Sequence, residues 1–328
     1  MRQWNFVLKR ILELLLLAIF VSFATFWLSA MIPGDFFSTH LLDSSTRAET
    51  VEQLRHSYGL DQPLHIRYWH WLTHAARMDL GYSLFYRRPV SSIVADALLK
   101  TLWIGVPALI IGFSAGILLG TVHESFKHGL AGKILDFAVT TGLSLPSLLL
   151  GLLGLMLAAR THWLPLGGTN SLTQNVAFLS WIMDRIRHLL LPVTCLSIPI
   201  AASVERIQFA AVQSPNKDLY LQSARARGLG SGRIFFHYLL RPGLNPVLSI
   251  SGPMIGGVLS GSLVLEVIFS WPGLGQVTYD ALFNNDLFLL AGCVLGSSVL
   301  LIAGNLIADF ALATLDPRTR SLLRRSRR

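Results

Sequence analysis

Six runs of about 20 predominantly apolar residues constrain this chain more than any other feature. A bilayer offers no water to backbone N–H and C=O groups, so a helix of that length is what crosses the hydrocarbon core. The runs fall at 11–31, 101–121, 135–159, 189–213, 245–268 and 287–313. Composition agrees: 52% of the 328 residues are hydrophobic and 14% charged, where a soluble domain carries about a quarter charged. The predicted fold is all-α and polytopic, with six transmembrane helices.

An even number of spans puts both termini on one side, and the basic residues choose the side. Arg2, Lys9 and Arg10, then Lys127 and Lys133, then Lys217, Arg225, Arg227, Arg233 and Arg241, and finally six tail arginines (Arg318, Arg320, Arg324, Arg325, Arg327, Arg328) hold most of the 27 Lys and Arg. The positive-inside rule makes these segments cytoplasmic. The expected organisation is a cytoplasmic N-terminus (1–10), a first span (11–31), an extracytoplasmic insert (32–100), a transmembrane core (101–313) with a cytoplasmic loop at 214–241, and a basic cytoplasmic tail (314–328). The insert carries basic and acidic residues in equal number and votes weakly.

The net charge of +9 needs no nucleic acid to explain it. Beside a span, the tail RSLLRRSRR reads as a surface for anionic lipid head groups. Cys195 and Cys293 fall inside spans, where cysteine acts as a small buried apolar residue rather than a disulfide or metal ligand. The first apolar run exceeds a signal-peptide core, so it is expected to remain as a span.

Within the insert, Thr46 and Glu49 have capping-box spacing ahead of Val51 and Leu54, with Gly59 placed to end the helix. A second helix is predicted after Asp61 through Leu64, Tyr68, Trp71, Leu72 and Ala75, its tryptophans suited to the membrane surface.

The 214–241 loop is predicted to hold two helices. Ser214 suits a cap, Pro215 the first helical position, Arg225 and Arg227 the last turn, and Gly228 a left-handed terminator. A second helix starts near Ser231, carries Ile234, Phe235, Tyr238 and Leu239, and is expected to stop at Pro242 before the span opened by Asn245 and Pro246. Ala224 and Gly228, four apart, share a face on which another protein's surface can come close. A solvated basic loop whose alanines merely favour helix remains the competing reading.

At this loop the sequence resembles the coupling motif of binding-protein-dependent ABC importer permeases, E-A-A-x-x-x-G. In YLQSARARGL (220–229), Gln222, Ser223, Ala224 and Gly228 occupy its four positions; Gln222 stands for Glu and Ser223 for Ala. The run Ala224, Arg225, Ala226, Arg227, Gly228, Leu229 is similar to the dipeptide and oligopeptide branch. Ile32–Asp35 (with Phe36 where Pro is common), YGLDQPLHIRYWHWL (58–72), DLGYSL (79–84), RPV (88–90), GLSLPSLLLGLL (142–153), WLPLGG (163–168), EVIFSWPGLGQ (266–276) and DPR (316–318) resemble that branch in the same order.

The resemblance implies a type I ABC importer fold and the first, B-type permease component of a peptide-class transporter in a bacterial or archaeal inner membrane. It further implies a second homologous permease, two cytoplasmic ABC ATPase subunits and an extracytoplasmic substrate-binding protein as partners. Tyr220, Gln222, Ser223, Ala224, Arg225, Ala226, Arg227, Gly228 and Leu229 would form the ATPase-coupling interface, and Trp271, Pro272 and Gly273 an external gate, near which Glu266, a polar residue at the end of the fifth span, is expected to have a structural role. ATP and Mg would be bound by the partner ATPases and no cofactor by this chain. None of the five lysines has the flanks of a G-x-x-x-x-G-K-[ST] phosphate loop.

Other constellations compete. Gly112–Gly116 spells G-x-S-x-G, which with Ser114 as nucleophile would make a polytopic membrane hydrolase, but a nucleophile elbow needs a strand-turn-helix. Gly112, Gly116 and Gly120 instead give consecutive G-x-x-x-G steps for close helix packing. His70 and His74 are four apart but lack a zincin glutamate and a third ligand. A stand-alone secondary transporter or channel is the remaining alternative.

Overall fold

The computed structural model describes residues 2–31, 62–171, 178–213 and 217–315. The capping box at Thr46, the turn at Ile32–Phe36, Ser214 and Pro215, and the DPR and arginine tail lie outside these residues. By its contacts the chain divides into two compact units: residues 1–101 with 272–302, and residues 102–271 with 303–328.

The first unit is built around α1 (Arg2–Met31), α2 (Leu64–Ala75), a two-residue antiparallel hairpin (β1, Tyr82–Ser83; β2, Arg88–Pro89), the start of α3 (Val90–Phe126), α11 (Leu274–Phe283) and the first part of α12 (Leu287–Leu315). Leu64, Tyr68, Trp71, Leu72 and Ala75 lie at helical spacing, and Tyr68 and Trp71 pack on Phe26 of α1 and Ala291 of α12. Trp71 is thus a core residue rather than an interfacial anchor, while Trp69 stays exposed. The Tyr68 hydroxyl donates to the Ile19 carbonyl at 2.9 Å.

Asp286 fastens the hairpin to α12. Its Oδ1 accepts the Leu289 N–H at 3.2 Å as a helix N-cap, and its Oδ2 accepts the Ser83 hydroxyl at 2.7 Å and the Phe85 N–H at 3.1 Å. Removing it orphans three buried or half-buried donors, so Asp286→Ala is expected to lower unfolding stability by about 2 to 4 kcal/mol, read as a drop in melting temperature of the detergent-purified chain. Nearby, the Tyr86 phenol donates to Asp280 Oδ2 at 2.6 Å; burial first, and that bond second, push its pKa up.

The second unit contains the rest of α3, α4 (Leu130–Ser144), α5 (Ser147–Thr161), α6 (Phe178–Val212), α7 (Lys217–Ala226), α8 (Ser231–Ile234), a π-helical stretch at Phe235–Leu240, α9 (Arg241–Ser249), α10 (Ser251–Ile268) and the end of α12. Its core joins Ile104 and Ala108 of α3, Leu150 of α5, Leu191, Cys195, Leu196, Ile200 and Val204 of α6, and Val258 and Leu265 of α10. Asn305 of α12 points at Gly252 of α10, as expected of a polar side chain inside a span. Arg185 lies on α6 with its guanidinium over the rings of Trp181 (4.3 Å) and Trp103 (5.4 Å).

By length and composition, α3, α6, α10 and residues Leu287–Ala308 of α12 suffice to cross a membrane; α4 with α5 makes a fifth if the bent pair is one span, and Leu15–Ser29 of α1 is a shorter apolar helix. Two expectations need correction. The run 135–159 is two helices bent by 108°. Leu145 precedes Pro146, whose ring disfavours the α conformation there, and Leu145 is extended at φ −82°, ψ 121°. Nor does Pro242 stop the helix begun at Ser231: the chain runs on through the π stretch into α9, breaks at Ile250, and continues as α10. Pro242 stands within the first two positions of α9, a place where a missing N–H is tolerated.

Candidate functional site

α7, α8 and the π stretch form a compact knuckle. The chain leaves α7 by a Schellman turn: the Gly228 N–H donates to the Arg225 carbonyl at 2.9 Å and the Leu229 N–H to the Ala224 carbonyl at 3.3 Å, with Gly228 left-handed at φ +72°. This brings Leu221 and Ala224 against Ile234, with Tyr220, Leu229, Tyr238 and Leu239 around them. Ala224 is therefore turned inward. Its small size admits α8 rather than a partner, which modifies the reading in which Ala224 and Gly228 form one docking face.

Outward the knuckle presents Gln222, Ser223, Arg225, Ala226, Arg227 and Gly228, all exposed, with open space where a Cβ on Gly228, Gly230 or Gly232 would lie. Exposed Leu219 and Phe236 add apolar area. The Tyr220 hydroxyl donates to the Tyr238 carbonyl at 3.0 Å, and burial pushes the Tyr220 pKa up, so the phenol keeps its proton. Tyr238 is the residue four before Pro242, which has no N–H to offer that carbonyl.

Behind the knuckle lies a buried polar cluster centred on Gln208, a residue that the sequence did not single out. Gln208 of α6, fully buried, donates through Nε2 to the Thr121 hydroxyl of α3 at 3.0 Å and to the Leu240 carbonyl of the π stretch at 3.0 Å. Thr121 passes its own proton to the Ile117 carbonyl at 2.7 Å. One turn earlier on α6, Glu205 Oε1 and His123 Nδ1 share a 2.6 Å hydrogen bond, and Phe209 stacks on the imidazole at 4.1 Å. Lys127 donates to Glu124 at 2.7 Å. The available signal was Glu205 and Gln208, polar at i, i+3 within an apolar run.

The three glycines of α3 face α6. A Cβ on Gly112 would lie 2.6 Å from Ile200 Cγ2, on Gly116 2.6 Å from the Ala201 carbonyl oxygen, and on Gly120 2.6 Å from the Glu205 carbonyl oxygen. Ser114 between them is exposed in mid-helix, with no turn to raise a nucleophile.

At the other end of the unit, Gly167 lies against the backbone of Phe269, and the Gly168 N–H donates to the Phe269 carbonyl at 2.9 Å, tying the WLPLGG segment to the end of α10. Glu266 and Trp271 are buried there, and the Trp271 N–H donates to the Glu266 carbonyl at 2.7 Å. In the first unit, half-buried Pro272 and buried Gly273 precede α11, with Gly273 its N-cap residue. His70 and His74 sit on α2, where His74 Nδ1 pairs with the His70 carbonyl at 2.9 Å. Among the described residues no group of three or more His, Cys, Asp or Glu is placed to hold a metal.

An all-helical core of apolar spans joined to a helical knuckle is the architecture of a type I importer permease. Residues 112–321 match the family described as binding-protein-dependent transport system inner membrane component, and residues 3–104 match its N-terminal family. The chain belongs to this family. It is 30% identical over 317 residues to the glutathione transport system permease protein GsiC of Salmonella choleraesuis, covering 96% of this chain and 99% of that one. GsiC of Escherichia coli K12 is 29% identical over the same coverage. The chain is thus an inner-membrane permease component of an ABC importer, not an enzyme, and works with a binding protein and ATPase subunits that hydrolyse the nucleotide.

Proposed function

We propose that the 217–240 knuckle faces the cytoplasm and is gripped by an ABC ATPase subunit, with ATP and Mg bound on that subunit. Closure of the ATPase pair pushes the knuckle, and the spans rock between inward and outward access. Both chain termini then lie in the cytoplasm, the Glu266–Gly273 segment lies at the external gate, and the pathway is completed by a second homologous permease above two ATPases. The observation that carries this reading is a knuckle whose apolar core is filled by its own residues while the matching motif positions Gln222, Ser223 and Gly228 stay open to a partner.

The transported solute is a small peptide, a class that includes glutathione; near-full-length similarity to glutathione permeases supports this. In a reconstituted system, labelled glutathione uptake is expected to be competed by short peptides and not by sugars.

Orientation is tested with Arg233→Cys, since Cys195 and Cys293 are buried and give little background. A membrane-impermeant maleimide is expected to label this chain in inverted vesicles and not in intact cells; labelling from outside would sink the proposal. Gly228→Arg, which adds a long side chain at the left-handed turn, is expected to abolish co-purification of the ATPase.

A further inference from the structure

We propose that Gln208 is the positioning residue that passes motion of the knuckle to the transmembrane helices α3 and α6. This rests on the coupling role proposed for the knuckle.

The orientation of the Gln208 amide is set by its partners. The Leu240 carbonyl only accepts, so the nitrogen must face it, and the same nitrogen reaches Thr121. Both N–H groups are thereby spent on two different elements, and Oε1 is left buried with no partner. A buried unsatisfied amide oxygen costs about 1 to 3 kcal/mol. Simple stability would favour Met or Leu here, so the position departs from local optimality in a way expected at a functional site.

The surroundings are built for this side chain. Gly243, just past the π stretch, lies so close to the Gln208 carboxamide that any Cβ there would overlap it. The acceptor on the other side belongs to a π-helical stretch, a geometry frequent at functional sites. The result is a continuous path: Leu240 on the π stretch, Gln208 on α6, and Thr121 on α3, whose hydroxyl proton goes on to Ile117. Tyr220 on α7 enters the same stretch two residues earlier, at the Tyr238 carbonyl. Displacing the knuckle therefore bears on α3 and α6 through this amide as well as through the packing of α9 on α6.

The test uses the complete transporter in proteoliposomes, with binding protein, ATPases and both permeases, measuring labelled peptide uptake, ATP hydrolysis and the amount of assembled complex. Gln208→Met keeps the volume and removes both donors. The complex is expected to assemble normally, with uptake per ATP falling at least about fivefold, the low end for linked sites. Gln208→Glu adds a readout that a packing role would not move. Its protonated carboxyl can donate to Leu240 and its ionised form cannot, so uptake per ATP is expected to recover as pH falls relative to the wild-type ratio at the same pH, a comparison that controls for the neighbouring His123–Glu205 pair.

A Gln208→Met complex that fails to assemble, or that keeps the wild-type ratio, overturns the proposal. If Gly228→Arg abolishes ATPase association while Gln208→Met keeps the wild-type ratio, the knuckle's role stands and only the Gln208 step is lost. If Gly228→Arg changes neither association nor uptake, the knuckle reading itself is wrong.

Discussion

Gly116→Leu is expected to reduce the folded, membrane-inserted chain to less than about a tenth of its normal level, because the contact it breaks cannot be relieved by a rotamer change. A Cβ at Gly116 meets the Ala201 carbonyl oxygen and Val204 Cβ, each at 2.6 Å. The first is backbone of α6, fixed within a helix that also carries Cys195, Leu196 and Ile200 into the core. To admit a leucine, α3 and α6 must separate, and Gly112 and Gly120, one turn away on either side, lose their contacts with Ile200 and the Glu205 carbonyl. In a membrane the association of helices depends on such close approach, since lipid is as apolar as the side chains.

The measurement is the monodisperse fraction after detergent extraction. Gly105→Ala, compared with Gly116→Ala, is the matched control for adding a Cβ: it lies on the same helix, but its Cβ would make only a 3.4 Å contact with Val258. Ser114→Ala, on the exposed side of the same helical segment, is expected to leave accumulation and uptake unchanged. A normal yield of Gly116→Leu would mean that α3 and α6 do not pack this way in the membrane.

Apolar runs, turn residues and glycine spacing made much of this legible in the sequence. Gly228 carries its own explanation, because only glycine takes φ +72° without strain and the helix before it has nowhere else to end. The G-x-x-x-G steps name a packing face, although not the neighbour. Two features were hidden for physical reasons. The break at Leu145–Pro146 lies within an apolar run that hydropathy treats as uniform, and a proline in such a run fits a kinked span as well as a broken one. The π stretch leaves no composition signal, so Pro242 reads as a stop when the chain widens its helix ahead of it. Ala224 shows the limit of a shared-face argument: spacing put it with Gly228, but tertiary packing turned it towards Ile234.

The buried pair His123 and Glu205 yields the second large effect, and its sign depends on how many partners are removed. Both side chains are almost wholly buried, joined by one 2.6 Å hydrogen bond, with Glu205 Oε2 left unpartnered. His123→Leu takes away the hydrogen-bond partner and leaves a fully buried carboxyl group unsupported, an outcome expected to cost about 3 to 5 kcal/mol. Removing both groups removes the desolvation penalty along with the bond, so His123→Leu with Glu205→Leu is expected to be far closer to the parent than either single change. Denaturant or thermal unfolding of the purified chain supplies the four corners of the cycle. Two independent, additive losses would show that the imidazole and the carboxyl act separately. A strongly non-additive result identifies the pair as one unit, set one turn from Gln208 on α6, whose net contribution to stability is small. Retaining a pair of so little net stability beside the amide that bridges α3 and the π stretch then makes sense as a means of fixing the register of α6 against α3, so that Gln208 meets Thr121 and Leu240 together.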